Sequence, residues 1–297
     1  MSHPHTQSPG PTETRAAGKI GIWSLELRFG DPSLAVEAIA ELEALGYGAV
    51  WIPGGIGGDI MGDVVRLLDA TKHMMIGIGI LNIYKHAAAD VGKWWHGLSE
   101  SDRARFMLGL GVSHGPLIGE DYRKPLGVME SYLDELDLAA VPAERRCLAA
   151  LGPRMLELAR RRTAGSHPFL VTPEHTATAR ATLGPRALLA PEQAVILETD
   201  PDKARKMGRE ALVHYLHLPN YLNSWRRLGF SEEDIAKVTD RLVDGLFAWG
   251  TPEQIAVRAR EHLAAGADQV CLQVIHSEIS TMQAPRESWR ALASVLL

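Results

Sequence analysis

The sequence predicts an α/β fold of the (β/α)8 barrel type, eight parallel strands each followed by a helix, on three observations. Short apolar runs alternate with longer helical patterns eight times between Lys19 and Leu297. Several of these runs are nearly continuous in apolar or small residues, as strands covered on both faces require, and the alternation of a half-exposed antiparallel sheet is not the dominant pattern. The chain has 297 residues, 46% hydrophobic and 23% charged, which suits one globular barrel domain over 19–297. The first eighteen residues, rich in Ser, Pro, Thr and Gly, read as a disordered arm; they carry no apolar centre of a secretory signal.

The strands are expected at Ile20–Ser24, Ala49–Pro53, Met75–Asn82, Met107–Gly111, Cys147–Leu151, Pro168–Val171, Ala194–Leu197 and Gln269–Ile275. After the first, Asp31-Pro32-Ser33 opens a helix over Leu34–Leu45, with Ser33 as cap, Glu37 in the first turns and Gly46 as terminator. Helices over Asp59–Thr71 and Ala88–Leu98 follow the second and third strands. Pro125–Leu138, Pro153–Arg162 and Pro173–Leu183 follow the next three, each with Pro at its first position. Pro201–Leu216 and Glu232–Leu246 form a helical insertion before strand eight, a lid or pocket wall. Thr251-Pro252-Glu253 then opens Ile255–Ala265, Gly266 closes it, and Arg286–Leu296 seals the C-terminus.

Composition and missing motifs exclude several chemistries. Lys and Arg total 31 against 36 Asp and Glu, a net charge of −5 with no basic stripe, so nothing points to nucleic acid. No run approaches the length of a membrane-spanning helix. The two cysteines, Cys147 and Cys271, make neither a disulfide framework nor a zinc pattern, and read as buried thiols in a reducing cytoplasm. No dinucleotide-binding G-x-G-x-x-G, phosphate loop, H-E-x-x-H or G-x-S-x-G elbow occurs. Glu210, His214 and His217 share a helical face, a pattern more often polar surface than metal site, so no metal is expected.

In this fold chemistry gathers at the C-terminal ends of the strands. Strand four ends in Gly109-Leu110-Gly111-Val112-Ser113-His114, where glycines admit a flat ligand and Ser113 and His114 offer hydrogen bonds. Strand five runs into Gly152-Pro153-Arg154, a helix start whose free N–H groups and positive dipole suit a phosphate. Strand six ends at Thr172 beside a second such start. Asn82-Ile83 at the end of strand three marks either a bulge or simply the strand's end. Trp23 and Trp51 can wall a pocket, although aromatics at such positions are more often core.

Together these residues resemble a family. Arg105–Ser113 (RFMLGLGVS), Leu148–Thr176 and Phe247–Ile275 (FAWGTPEQIAVRAREHLAAGADQVCLQVI) are similar to segments of the bacterial luciferase-like superfamily, and closest to its branch of actinobacterial type that uses the deazaflavin coenzyme F420. The resemblance implies a homodimeric barrel with an isoalloxazine-like ring across its mouth. Asn82 and Ile83 would back the ring through an often cis peptide; Val112, Ser113 and His114 would flank it; Gly152, Pro153, Arg154 and Thr172 would hold the phosphate. Sugar-phosphate dehydrogenases of the superfamily carry an acidic–His pair after the second strand, where this chain reads Trp51-Ile52-Pro53-Gly54-Gly55, so a sugar phosphate is not the expected substrate.

The expected activity is hydride transfer between coenzyme F420 and a small, partly apolar organic substrate. His114 is the first candidate for the proton, because imidazole titrates near neutrality. His217, Tyr221 and His276 stand behind it on the substrate side. The competing readings are an FMN-dependent monooxygenase of the same fold and a non-catalytic deazaflavin-binding barrel. The adjacent pair Trp94-Trp95 cannot be fully buried by one helical face: either one ring packs on the barrel and the other stays partly exposed, or the pair forms a subunit contact, the reading that the family likeness favours.

Overall fold

The computed structural model describes residues 18–55, 57–277 and 279–297, apart from the side chain of Asp121. The expected arm, except Gly18, lies outside the described residues. The strands are β1 (Ile20–Trp23), β2 (Ala49–Gly54), β3 (Met75–Asn82), β4 (Phe106–Gly111), β5 (Arg146–Leu148), β6 (Gly165–Ser166), β7 (Leu188–Leu189), β8 (Glu192–Ile196), β9 (Phe247–Trp249) and β10 (Val270–Val274). They form one parallel sheet in the order β7-β6-β5-β4-β3-β2-β1-β10-β8-β9. Because β7 and β8 are two pieces of one extended segment broken at Ala190-Pro191, that order returns on itself and the sheet closes. The amides of Asp268 and Cys271 donate to Leu189 O and Pro191 O, each at 2.9 Å, across the break. Eight positions around the ring are filled, as the sequence predicts, and β9 is an addition, paired to the outer end of β8 from Ala194↔Phe247 to Ile196↔Trp249.

Covering on both faces explains the apolar strands. Trp51, Met107, Cys147, Ala190 and Cys271 fill the inside of the cylinder. Ile22, Val50, Ile76, Leu108 and Leu272 pack outward against the helices. Both thiols are free and buried, and burial pushes each well above the ordinary thiol range. No helix among the described residues is long and apolar enough to cross a membrane.

Several boundaries differ from expectation for identifiable reasons. The sixth strand is Gly165–Ser166, not Pro168–Val171, because Pro168 has no N–H for a ladder and Leu170, at φ 52, turns its amide to the Glu192 carboxylate at 2.9 Å. The cap of helix Pro32–Leu45 is Asp31, which accepts from Ser33 N and Leu34 N, rather than Ser33. The helix expected at Pro201–Leu216 stops at Leu212, and a separate helix, Pro219–Arg227, starts at the next proline. The helix expected at Glu232–Leu246 breaks at Val238, whose φ of 46 is left-handed, into Glu232–Lys237 and Asp240–Leu246. These two and Pro219–Arg227 share a core built on Leu218, Tyr221, Trp225 and Phe230, packed on Ile196 and Phe247. Of the tryptophan pair, Trp95 is buried and Trp94 partly exposed, its ring edge-on to Phe106 at 5.0 Å.

Candidate active site

The mouth of the barrel is shaped first by β3 and β4. Register between them shifts from Gly77↔Met107 to Leu81↔Leu110, and within that interval the Gly79–Ile80 peptide is cis. The irregularity is therefore at Gly79–Ile80, three residues before the expected Asn82-Ile83. Asn82 is instead paired to Gly111 and buried, its side chain accepting from Tyr84 N at 3.0 Å, and Ile83 N bonds Gly111 O. Glycines make the close approach possible: a Cβ at Gly109 would stand 2.0 Å from Ile78 O, and one at Gly111 would strike the Ile80 side chain. Gly79 and Ile80 are only half-buried, although they lie in mid-strand.

Trp23, from the end of β1, reaches across to donate to Gly79 O at 3.2 Å. A methyl group on Gly79 would lie 2.8 Å from Trp23 Nε1 and 2.7 Å from Nε2 of the buried His167. Gly79→Ala is accordingly expected to cost about 1–3 kcal/mol through overpacking and to displace Trp23, read as a lower denaturant midpoint with altered tryptophan fluorescence. An unchanged midpoint would show that this contact relaxes without penalty.

Beyond β4, Val112 is buried, while Ser113 takes a left-handed φ of 57 and His114 is half-buried. His114 lies 5.4 Å, ring to ring, from Tyr221. Burial and the nearby His217 hold its imidazole below the ordinary histidine range. The wall continues from Tyr221 through Phe169 (6.4 Å) to Trp23 (5.3 Å), with Tyr215 packed against both Tyr221 and Phe169. Behind it lies Glu192, fully buried, one oxygen taking the Leu170 amide and the other without a partner. Burial raises its carboxyl to about 8.

The two expected helix tips are present. Helix Pro153–Arg162 begins at Gly152 and helix Pro173–Leu183 at Thr172, and neither start is capped by a side chain. The N–H groups of the first turn at Gly152 thus remain open to a ligand. Arg154 is exposed, and sequence reasoning missed a second cation: Arg227, which donates to Leu151 O at 3.0 Å and lies within 4 Å of where a Gly152 Cβ would be.

Across the ring from His114, three and four strands on from β4, β1 and β10 hold a pair that the sequence did not reveal. His276 Nε2 is 3.0 Å from Glu26 Oε1, and the other Glu26 oxygen accepts from Ser24 Oγ at 2.6 Å. Glu26 and Ser24 are buried and His276 half-exposed. Their separation of 250 positions leaves no local motif.

Of the other expected residues, Trp51 does not reach the mouth: it is fully buried, stacked on His167 at 4.0 Å and bonded to Gln269. His217 is exposed at the rim beside His114. Among the described residues no three metal-ligating side chains gather, and His214 is exposed.

Residues 6–269 match the family model of the luciferase-like monooxygenases. No curated protein sequence matches. The fold is similar to an F420-dependent secondary alcohol dehydrogenase solved with an F420–acetone adduct (15% identity, 92% of this chain and 98% of that one, TM-score 0.71). It is also similar to the coenzyme F420-dependent tetrahydromethanopterin reductase from Methanopyrus kandleri (15%, 94% and 98%, 0.66). A third likeness is the oxygenating constituent of 3,6-diketocamphane monooxygenase from Pseudomonas putida, in complex with FMN (12%, 93% and 96%, 0.62).

Proposed function

The chain belongs to the luciferase-like monooxygenase family, and from that premise we propose that it is an oxidoreductase transferring a hydride between coenzyme F420 and a small, partly apolar carbonyl or alcohol substrate. The observation that carries this reading is the half-buried Gly79–Ile80 ledge, seated on Gly109 and Gly111 of β4, a surface on which a flat ring can rest.

The residues fit such a group. Ile80, Val112 and Ser113 would border the ring. The open first-turn N–H groups of Arg154 and Met155, behind Gly152 and Pro153, together with Thr172 and the guanidinium groups of Arg154 and Arg227, would take the anionic tail. When bound, the deazaflavin supplies a carbon that gives or accepts the hydride, so the protein's tasks are orientation, exclusion of water and proton handling.

Interconverting an alcohol and a ketone also moves one proton at the substrate oxygen. His276 is the residue assigned to that step, since Glu26, 3.0 Å from its Nε2, orients its ring. His114, with no carboxylate paired to it among the described residues and a depressed imidazole, would face the substrate from the other side. The Trp23–Phe169–Tyr221 wall suits a substrate with an apolar body.

Titrating the purified protein with F420 and with FMN, followed by fluorescence, tests the cofactor. Tighter F420 binding and turnover of reduced F420 with a panel of aldehydes and ketones are expected. Preferential FMN binding with oxygen consumption would establish the monooxygenase instead, and binding without turnover a carrier.

A further inference from the structure

Asn220, the second residue of helix Pro219–Arg227, places its side-chain nitrogen 3.4 Å from each of three atoms: Ser113 O, His114 Nδ1 and Tyr122 Oη. A backbone carbonyl can only accept, so the end of the amide that faces Ser113 O carries hydrogen. The same NH2 group lies 3.4 Å from His114 Nδ1, and its second hydrogen is accepted there when Nδ1 presents its lone pair. We infer that Asn220 is a positioning residue that fixes His114 in the tautomer with its proton on Nε2, so that His114 offers the substrate an N–H and not a base. This role rests on the oxidoreductase reading, and deepens it by naming what the substrate must bring: an accepting oxygen, as a carbonyl does, at the end that meets His114.

The surroundings agree. The titratable groups around His114 are His217 and Tyr221 from the insertion and Tyr122 from its own loop, with no carboxylate ion-paired to it among the described residues. Ser113 contributes through its backbone: its left-handed φ sets both its carbonyl and the His114 ring toward Asn220. A neutral imidazole held by a donor on Nδ1 polarises an oxygen without exchanging a proton with it. The two imidazoles of the mouth thereby receive different tasks from their partners: Glu26 behind His276 favours a proton carrier, and Asn220 behind His114 favours a fixed donor.

Nitrogen-15 NMR of the histidine-labelled protein, with the His114 signals identified by their loss in His114→Gln, reads the tautomer without any cofactor. Wild type is expected to show Nδ1 bare and Nε2 protonated. Asn220→Asp, in which an acceptor replaces the donor, is expected to move the proton to Nδ1 and raise the His114 midpoint by about 1–3 pH units. Asn220→Leu, which removes the donor without adding charge, is expected to give a mixture of tautomers. With reduced F420 and cyclohexanone as probe, kcat/KM is expected to fall about tenfold or more in the Asp variant at neutral pH, at unchanged F420 affinity. Protonated Nδ1 in wild type, or the same His114 spectrum in all three proteins, would overturn the assignment. Absence of hydride transfer in wild type would instead count against the oxidoreductase reading, and the spectra would still decide the role of Asn220.

Discussion

Glu192→Gln is expected to make the protein melt higher than wild type at pH 8, and the gap to close toward pH 5. The carboxyl is fully buried, has an unpartnered oxygen and is raised to about 8 from 4.5. In the unfolded chain the group ionises first, so the stability it contributes is complete below pH 4.5 and is lost as pH rises through 8. Over that window the loss amounts to about 4 kcal/mol. The neutral amide removes the titration and still accepts from Leu170 N, at the expense of a buried NH2 group. For a chain of this size, with about 2–4 °C per kcal/mol, a gap of about 5–10 °C at pH 8 remains. Three buried imidazoles set the acid side. His167 and His175 are lowered to about 4 and His262 to about 3, each chiefly by burial, so their contribution is whole above 6.5 and fades as pH falls toward those values. Melting curves of wild type and Glu192→Gln that stay parallel from pH 5 to 8 would refute the assignment of a buried neutral acid.

Replacing His276 by Asn is expected to lower kcat by about 10²–10⁴-fold, the range for loss of a positioned proton carrier, while F420 affinity changes by less than about twofold. Glu26→Gln keeps a hydrogen-bonding side chain beside the ring and loses the charge; a fall of about 10–100-fold is expected, as for other partners that orient a working imidazole. The two substitutions share one chain of bonds, so the double variant should resemble His276→Asn alone instead of showing the product of both losses. Steady-state rates with reduced F420 and a responsive ketone provide the check. A kcat within about threefold of wild type in His276→Asn would place the proton elsewhere, and His114 would be the next residue to examine.

The barrel was legible because its cause is periodic. Apolar strands buried on both faces and helices bounded by Asp, Ser, Thr, Pro and Gly write their spacing into consecutive residues. The two helix tips at Gly152 and Thr172 were readable for the same reason. What escaped depends on tertiary contact. The Gly79–Ile80 irregularity had a local hint in Gly77-Ile78-Gly79-Ile80, glycines inside a strand, but the polar Asn82 was the louder signal. The left-handed turn at Leu170, which replaced an expected strand, is stabilised by the carboxyl group of Glu192, 22 positions away. Glu26 and His276 meet only because β1 and β10 are neighbours in the closed sheet. Arg227 and Asn220 lie on a helix whose start is marked by Pro219, in the stretch between the two helices expected of the insertion, where the sequence reading places no element.

That nine-residue helix, Pro219–Arg227, has one end against Ser113 and His114 and the other against Leu151 and Gly152, with Trp225 bonded to Leu170 O between them. Under the proposed function, grafting the insertion of a relative is therefore expected to exchange substrate selectivity and coenzyme retention together. The two traits would be encoded on one rod, and a chimera that gains a new substrate is expected to need re-optimisation at Arg227 before it retains a coenzyme as the parent would.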